Sequence, residues 1–325
     1  MNKNRRAVIK NNQISKILEF NLGGFSQKVL IEGKYDNLPI LITLHGGPGM
    51  PLPLCVGCRG MFPEFTDNFI MVYWDQLGCG INNYKIDNNF TINHFIQMTC
   101  DLIDSVKKEF PNNKLFIFSM SWGSILSLLS TEKKSETIDG VLATGQIVKN
   151  IFYNEEVYAV LKENGVSEKT INKIKDTNIN NIKSKDLQLI SNLLRKKTNA
   201  YNNKKSKNTE IWKIILGLFQ SPDYKFKDFK AMIINGYKDN TSLWNEILRI
   251  DLSEKLKNVR VPYYILQGET DIIASTKTIK ELCESAGNRN LHCRVIEKSG
   301  HLPNKEMMEE LFSVLLSIKR LTSNA

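Results

Sequence analysis

Long apolar runs are missing from this 325-residue chain, in which hydrophobic residues make up an ordinary 42%. No stretch approaches the ~20 residues that a bilayer-crossing helix requires. An export signal is missing as well. The basic opening Met1-Asn2-Lys3-Asn4-Arg5-Arg6 leads into Ala7-Val8-Ile9-Lys10-Asn11-Asn12, which breaks off before an apolar core forms. A cytoplasmic protein without a membrane partner is therefore expected. The six cysteines are scattered at Cys55, Cys58, Cys79, Cys100, Cys283 and Cys293. Without an export signal they are expected to be free thiols. Cys55-Val56-Gly57-Cys58 has metal-like spacing, yet no second Cys or His pair follows at zinc-finger distance. Neither a metal nor an organic cofactor is expected.

The formal charge of +10 raises the question of nucleic acid. Most of the excess lies between Ile147 and Ile250, where 19 lysines and arginines face 11 aspartates and glutamates. That segment is crowded with asparagine, as in Lys196-Lys197-Thr198-Asn199-Ala200-Tyr201-Asn202-Asn203-Lys204-Lys205. It lacks an aromatic-studded basic groove or a helix–turn–helix pattern. Solvated charge accounts for it better than a phosphate-reading surface, so no nucleic-acid partner is expected.

Two glycine-bearing turns stand out. His45-Gly46-Gly47-Pro48-Gly49 closes the apolar run Ile40–Leu44, and Ser119-Met120-Ser121-Trp122-Gly123 follows the run Leu115–Phe118. A serine on a sharp strand-to-helix turn, with small residues two positions to either side, is a nucleophile elbow. Gly123 satisfies the downstream position. Ser119 stands where glycine is usual, so the turn is expected to form at some conformational cost. The plainer alternative is a serine-rich helix start without chemistry.

A serine hydroxyl needs a base, itself oriented by a carboxylate. With such an elbow the chain order serine, acid, histidine is expected. Histidine is scarce, with four in all. His45 belongs to the glycine loop, His94 lies near a helix start, and His292 sits inside the strand-like run Leu291–Ile296. His301 follows Ser299-Gly300 on a loop just past that run and is the expected base. The acid should come one strand earlier, where Val261–Leu266 runs into Gln267-Gly268-Glu269-Thr270-Asp271. Asp271 is favoured by its spacing, with Glu269 as the fallback. The residue after the nucleophile, Trp122, is expected to offer its N–H to a developing oxyanion.

The His-Gly-Gly-Pro-Gly loop, the run Tyr73-Trp74-Asp75-Gln76-Leu77-Gly78-Cys79-Gly80, the Ser-Trp-Gly-Ser elbow and the late Gly300-His301 resemble the α/β-hydrolase fold. More narrowly they resemble its proline iminopeptidase-like branch, over about residues 25–145 and 255–320. Leu77 stands where that branch usually carries arginine, and Asn82 where it often carries serine. The resemblance implies a serine hydrolase acting through an acyl-enzyme, with Gly47 N–H, or neighbouring Gly46, as second oxyanion donor. It implies a small-molecule or short-peptide substrate, and oligomeric state stays open.

Coarse patterning predicts a hairpin over 13–33 turning at Gly23-Gly24, and a helix over 92–110 with apolar residues at helical spacing. A sixth strand is predicted over 139–144. From there to about 250 strand–helix alternation fails. Helices over 150–164, 184–197, 209–220 and 241–250 read as a cap, giving a core over 1–146 and 251–325 and a cap insertion over 147–250. Helices over 276–286 and 305–321 complete the core.

Substrate class rests on the cap. An aminopeptidase must hold a free ammonium, for which Glu155 and Glu156 are candidates, although adjacent glutamates on a helix do not face the same way. The cap is basic and supplies Trp212, Phe219, Tyr224, Phe226, Phe229 and Trp244, which suits a bulky apolar ester or lactone better. Some esterases with this branch's features open macrolide lactones. Ester or lactone hydrolysis is placed ahead of aminopeptidase activity, and a ligand receptor on a hydrolase fold is a remoter alternative.

Overall fold

Gly23 and Gly24 both take positive φ, 60° and 85°, the pair of left-handed residues that a two-residue hairpin turn requires. The turn joins β1 (Ile14–Leu22) to β2 (Phe25–Gly33) in antiparallel register. The computed structural model describes residues 3–202, 210–233, 237 and 240–323. Beyond the hairpin come β3 (Ile40–Leu44), β4 (Ile70–Tyr73), β5 (Leu115–Met120), β6 (Gly140–Thr144), β7 (Tyr263–Gly268) and β8 (Leu291–Ile296). Together they form an 8-stranded sheet in the order β1-β2-β4-β3-β5-β6-β7-β8. β2 pairs antiparallel with β4, and every pairing from β4 to β8 is parallel.

Strands β3 to β6 are buried along their whole length, as expected of a parallel sheet covered on both faces. Their side chains alternate between two apolar layers. Ile40, Ile42 and Leu44 join Phe95, Leu102 and Ile125, which come from α3 (Ile92–Glu109) and α4 (Trp122–Lys133). Leu41 points the other way, toward Leu311 and Leu315 of the closing helix (Lys305–Ser323).

The remaining helices are α1 (Lys3–Asn11), α2 (Pro63–Thr66), α5 (Glu155–Glu163), α6 (Glu168–Lys175), α7 (Ser184–Lys197), α8 (Glu210–Leu218), α9 (Phe226–Ile233), α10 (Thr241–Arg249), α11 (Ser253–Lys257) and α12 (Thr276–Ala286), with the closing helix as α13. Among the described residues no helix is long and apolar enough to cross a membrane. The segment between β6 and β7 leaves and rejoins the body at one place, where Leu252 N–H donates to Val148 C=O at 2.9 Å.

Several predicted elements shift. The helix expected from residue 150 starts only at Glu155, because Asn150 and Phe152 take positive φ and the Asn154 side chain caps Val157 N–H. Helices α1, α2, α6, α9 and α11 are additions to the sequence reading. In α1, Arg5 is buried and donates to the carbonyls of Arg59, Gly57 and Gly217 at 2.6–2.7 Å. Burial lowers its pKa from the ordinary value. Thr209, at the predicted start of α8, lies outside the described residues.

A Cβ on Gly123 would sit 2.1 Å from Leu44 C=O and 2.8 Å from His45 C=O. Alanine in a helix gains about 1 kcal/mol over glycine, but here it would collide with backbone that cannot yield, at a typical cost of about 1–3 kcal/mol or more. Gly123→Ala is expected to lower the urea midpoint of unfolding. An unchanged or raised midpoint would contradict this close packing.

Candidate active site

Four strand ends at the carboxyl edge of the sheet build the site. β5 ends at Met120, and Ser121 takes φ 51° and ψ −119° before α4 begins. Such a conformation is strained for a residue with a Cβ. It is pinned by Ser121 N–H donating to Thr144 C=O at 2.9 Å and Ser124 N–H donating to Ser121 C=O at 2.7 Å. The cost expected at Ser119 falls on Ser121 instead. Ser119 lies within β5, and its hydroxyl is 2.8 Å from that of Ser127 on α4.

The end of β8 brings His301 to Ser121, with Nε2 2.8 Å from Oγ. His301 Nδ1 lies 2.7 Å from Asp271 Oδ2, on the loop after β7. A carboxylate only accepts, so Nδ1 carries the proton and Nε2 is free to accept. Four N–H donors converge on the buried Asp271. Oδ2 takes His301 Nδ1 and Gln267 Nε2 (3.0 Å), and Oδ1 takes the backbone N–H groups of Ile273 (2.9 Å) and Ala274 (3.0 Å). Glu269, the fallback acid, is exposed and accepts Lys298 N–H at 2.9 Å, away from His301. His292 is exposed and stacks on Tyr264 at 4.5 Å. His94 caps α3 with Thr91.

The glycine loop after β3 abuts the serine. A Cβ on Gly46 would lie 3.4 Å from Ser121 Cβ, and Gly47 takes φ 122°. Among the described residues the N–H groups of Gly47 and Trp122 have no backbone acceptor. His45 orders this loop. Burial pushes its imidazole down to about 4, so the ring is neutral. Its Nδ1 pairs with Gly46 C=O at 2.9 Å and its Nε2 accepts Gln76 N–H at 3.0 Å.

Sequence reasoning missed the side chains that carry these loops. Gln76 donates to His45 C=O at 3.3 Å and accepts from the Trp122 indole at 2.8 Å, tying the glycine loop to the elbow. Its only signal is its place in the Trp-Asp-Gln run after β4. Gln267 holds Asp271 and accepts Gln146 N–H at 3.1 Å. Gly145 leaves room for the imidazole, since a Cβ there would lie 3.1 Å from His301 Cε1. Ala200 and Tyr201, from the segment between β6 and β7, accept the N–H groups of His301 (2.7 Å) and Leu302 (3.0 Å). No local pattern announces that pairing.

Ser121 and His301 open into a cavity of about 720 Å³. One wall is apolar, with Met50, Leu52, Pro53, Phe152, Ile214, Trp244 and Met308. Ser184, Leu187, Gln188, Ser191, Asn192 and Arg195 of α7 also line the cavity. Most of the aromatic residues expected there are elsewhere. Phe219 and Phe226 are exposed, Phe229 stacks on Phe219 at 5.1 Å, and Tyr224 donates to Asp75 at 2.6 Å. The Trp212 side chain lies outside the described residues, and Trp244 does line the cavity. The two glutamates considered for an ammonium are also displaced. Glu155 is exposed and pairs with Lys175 at 3.4 Å, while Glu156 accepts from Ser275 at 2.6 Å. Neither lines the cavity.

Cys55 and Cys58 are buried with their sulfurs 3.5 Å apart, and burial pushes the Cys55 thiol up. Among the described residues no three His, Cys, Asp or Glu side chains gather as a metal site.

The family model for the alpha/beta hydrolase fold matches residues 39–306. "Probable aminopeptidase YbaC" of Bacillus subtilis is 24% identical over 306 residues, covering 90% of this chain and 92% of its own. The proline iminopeptidase of Thermoplasma volcanium is 24% identical over 278 residues, covering 85% and 87%. The crystal structure of a proline iminopeptidase-related protein from Thermus thermophilus superimposes with a TM-score of 0.61 at 18% identity, covering 94% of this chain and 98% of its own.

Asp75 supplies a pH signature. Burial pushes its carboxyl up to about 6, against donors from Tyr224, Ile81 and Val56 that favour the charged form. The fold therefore binds a proton below about pH 6 that the unfolded chain binds only near its ordinary value of 3.8. This contribution adds stability as pH falls through that window. Asp75→Asn removes it. Urea unfolding of wild type and variant is expected to diverge by roughly 2 kcal/mol in favour of wild type between pH 7 and 4. A pH-independent difference would contradict a raised Asp75.

Proposed function

This chain belongs to the α/β-hydrolase fold family and is a serine hydrolase, and from that premise we propose that it cleaves carboxylic esters or lactones through an acyl-enzyme on Ser121. The hydrogen-bonded line from Ser121 through His301 to Asp271, opening into the cavity, carries this reading. His301 Nε2 accepts the proton as Ser121 Oγ attacks the acyl carbon. Asp271 holds the Nδ1–H tautomer and stabilises the imidazolium that forms. The N–H groups of Gly47 and Trp122 receive the developing alkoxide. His301 then returns its proton to the leaving alcohol, and water repeats the sequence to release the acid. Every step is carried by these side chains, backbone N–H groups and water.

The segment over 147–250 acts as a cap. It supplies the α7 wall and, through Ala200 and Tyr201, steadies the loop that carries His301. A cavity near 720 Å³ is in the range that holds drug-sized ligands, so bulky substrates, macrolide lactones among them, fall within its size. Aminopeptidase activity is the second reading, favoured by the names of the two relatives. Against it, no described residue lining the cavity carries a carboxylate to receive an ammonium.

The test is turnover of 4-nitrophenyl esters beside aminoacyl arylamides. Ser121→Ala and His301→Ala are expected to lose nearly all ester turnover while keeping wild-type circular dichroism. Retention of more than about a tenth of the wild-type rate would remove either residue from its role. Asp271→Asn is expected to cut turnover by a factor on the order of 10⁴, with Glu269→Gln nearly silent. The reverse ranking would exchange the two acids. Cleavage of arylamides alone, abolished by N-acetylation, would replace the esterase reading with the peptidase one.

A further inference from the structure

We propose that the mouth of the cavity contains a carboxylate-binding subsite built on α7 around Arg195, so that the enzyme prefers esters bearing a free carboxylate remote from the scissile bond. This rests on the ester-hydrolase reading above and names the substrate class within it.

The wall is a helix face. Ser184, Gln188, Ser191 or Asn192, and Arg195 recur in steps of three and four along α7, which places them on one side of the helix. All line the cavity. The opposite side of α7 buries Ile190 and Leu194 in the core. The helix therefore turns these polar side chains, with Leu187 among them, into the cavity that Ser121 lines. Among the described residues the side chains of Gln188, Asn192 and Arg195 hydrogen-bond to no other protein group. Their donors are available to a ligand.

Arg195 is held in place by stacking. Its guanidinium carbon lies 5.0 Å from the centroid of the Tyr201 ring. Tyr201 is itself fixed, with its hydroxyl 2.9 Å from Ser191 Oγ and its ring edge-on to His301 at 6.2 Å. A guanidinium stacked on an aromatic face keeps its in-plane N–H groups free for bidentate pairing with a carboxylate. The two ring distances, 5.0 and 6.2 Å, place the guanidinium within about 11 Å of the His301 imidazole. An extended acyl chain spans that gap, so one substrate can engage Arg195 while its ester carbonyl meets Ser121. Arg195 and His301 are the cavity's only described residues able to carry positive charge, and none there carries a carboxylate, so the field favours an anion.

The test uses a monoethyl dicarboxylate and the matching diethyl ester, for example of adipic acid, with kcat/KM measured for both. Wild type is expected to favour the anionic monoester by about tenfold or more, largely through KM, with the preference shrinking as salt rises. Arg195→Ala should abolish most of this ratio and Arg195→Glu should invert it, whereas Arg195→Lys should keep part. Lys196→Ala, one position outside the cavity lining, should leave it unchanged. The diester is the reference in every variant, so a loss of folded protein lowers both rates and spares the ratio. Equal rates on both esters in wild type, or a preference that survives Arg195→Glu, would overturn the subsite and leave ester hydrolysis standing. Failure to cleave either ester, or any 4-nitrophenyl ester, would instead overturn the reading on which the subsite rests.

Discussion

Close backbone approach at the carboxyl edge of the sheet is the constraint on which the site depends. Gly123 passes so near β3 that a Cβ would lie 2.1 Å from Leu44 C=O, and Gly268 passes so near the loop after β8 that one would lie 2.1 Å from Gly300 C=O. The first contact sets α4 against the glycine loop and so brings Gly46 to Ser121. The second draws the loops after β7 and β8 together, which lets Asp271 and His301 meet at 2.7 Å. Ser121 occupies a strained backbone conformation between these contacts. The surrounding hydrogen bonds over-determine it, which is how a cost on the order of 1–3 kcal/mol persists in a folded chain.

Buried polar groups in packing that tight are costly to leave unpaired. Beside the site only a few hydroxyls, Thr144 Oγ1 and Ser299 Oγ among them, have no partner among the described residues. Two glutamines supply much of the pairing. Gln76 joins the glycine loop to the elbow, and Gln267 joins the ends of β6 and β7 beneath Asp271. Asp75, next to Gln76, reaches outward to Tyr224 in the segment between β6 and β7. Ala200 and Tyr201 of the same segment bond the loop carrying His301. Movement of that segment would therefore be felt at the imidazole as well as at the cavity wall.

The body of the fold was legible because its signals are local. Fully buried strands read as apolar runs, and the loops that follow them read as glycine clusters. The long amphipathic α3 has helical spacing and a proline just past its end. Helices α1 and α6 escaped notice because they are short and mostly polar, and the placement of α1 depends on the distant carbonyls that receive Arg5. Ser121, His301 and Asp271 could be picked out by order along the chain and by position after strands. Gln76 and Gln267 could not be assigned a role, since Gln76 acts on His45 and Trp122, dozens of positions away, and Gln267 joins its neighbour Asp271 to Gln146, more than a hundred positions away. Glu155, Glu156 and the aromatic residues of the 147–250 segment were placed by composition alone. Composition does not say which side of a helix faces a cavity, and most of them face elsewhere.

The central claim is that Ser121 is the acyl-accepting nucleophile of a site assembled by these contacts. Its most direct measurement is mass-spectrometric mapping of the adduct formed by a fluorophosphonate probe on the folded protein. A single adduct on the peptide containing Ser121, formed more slowly while an ester substrate is present in excess, is the predicted result. An adduct on another residue in place of Ser121, or ester hydrolysis that continues with Ser121 fully labelled, would contradict it.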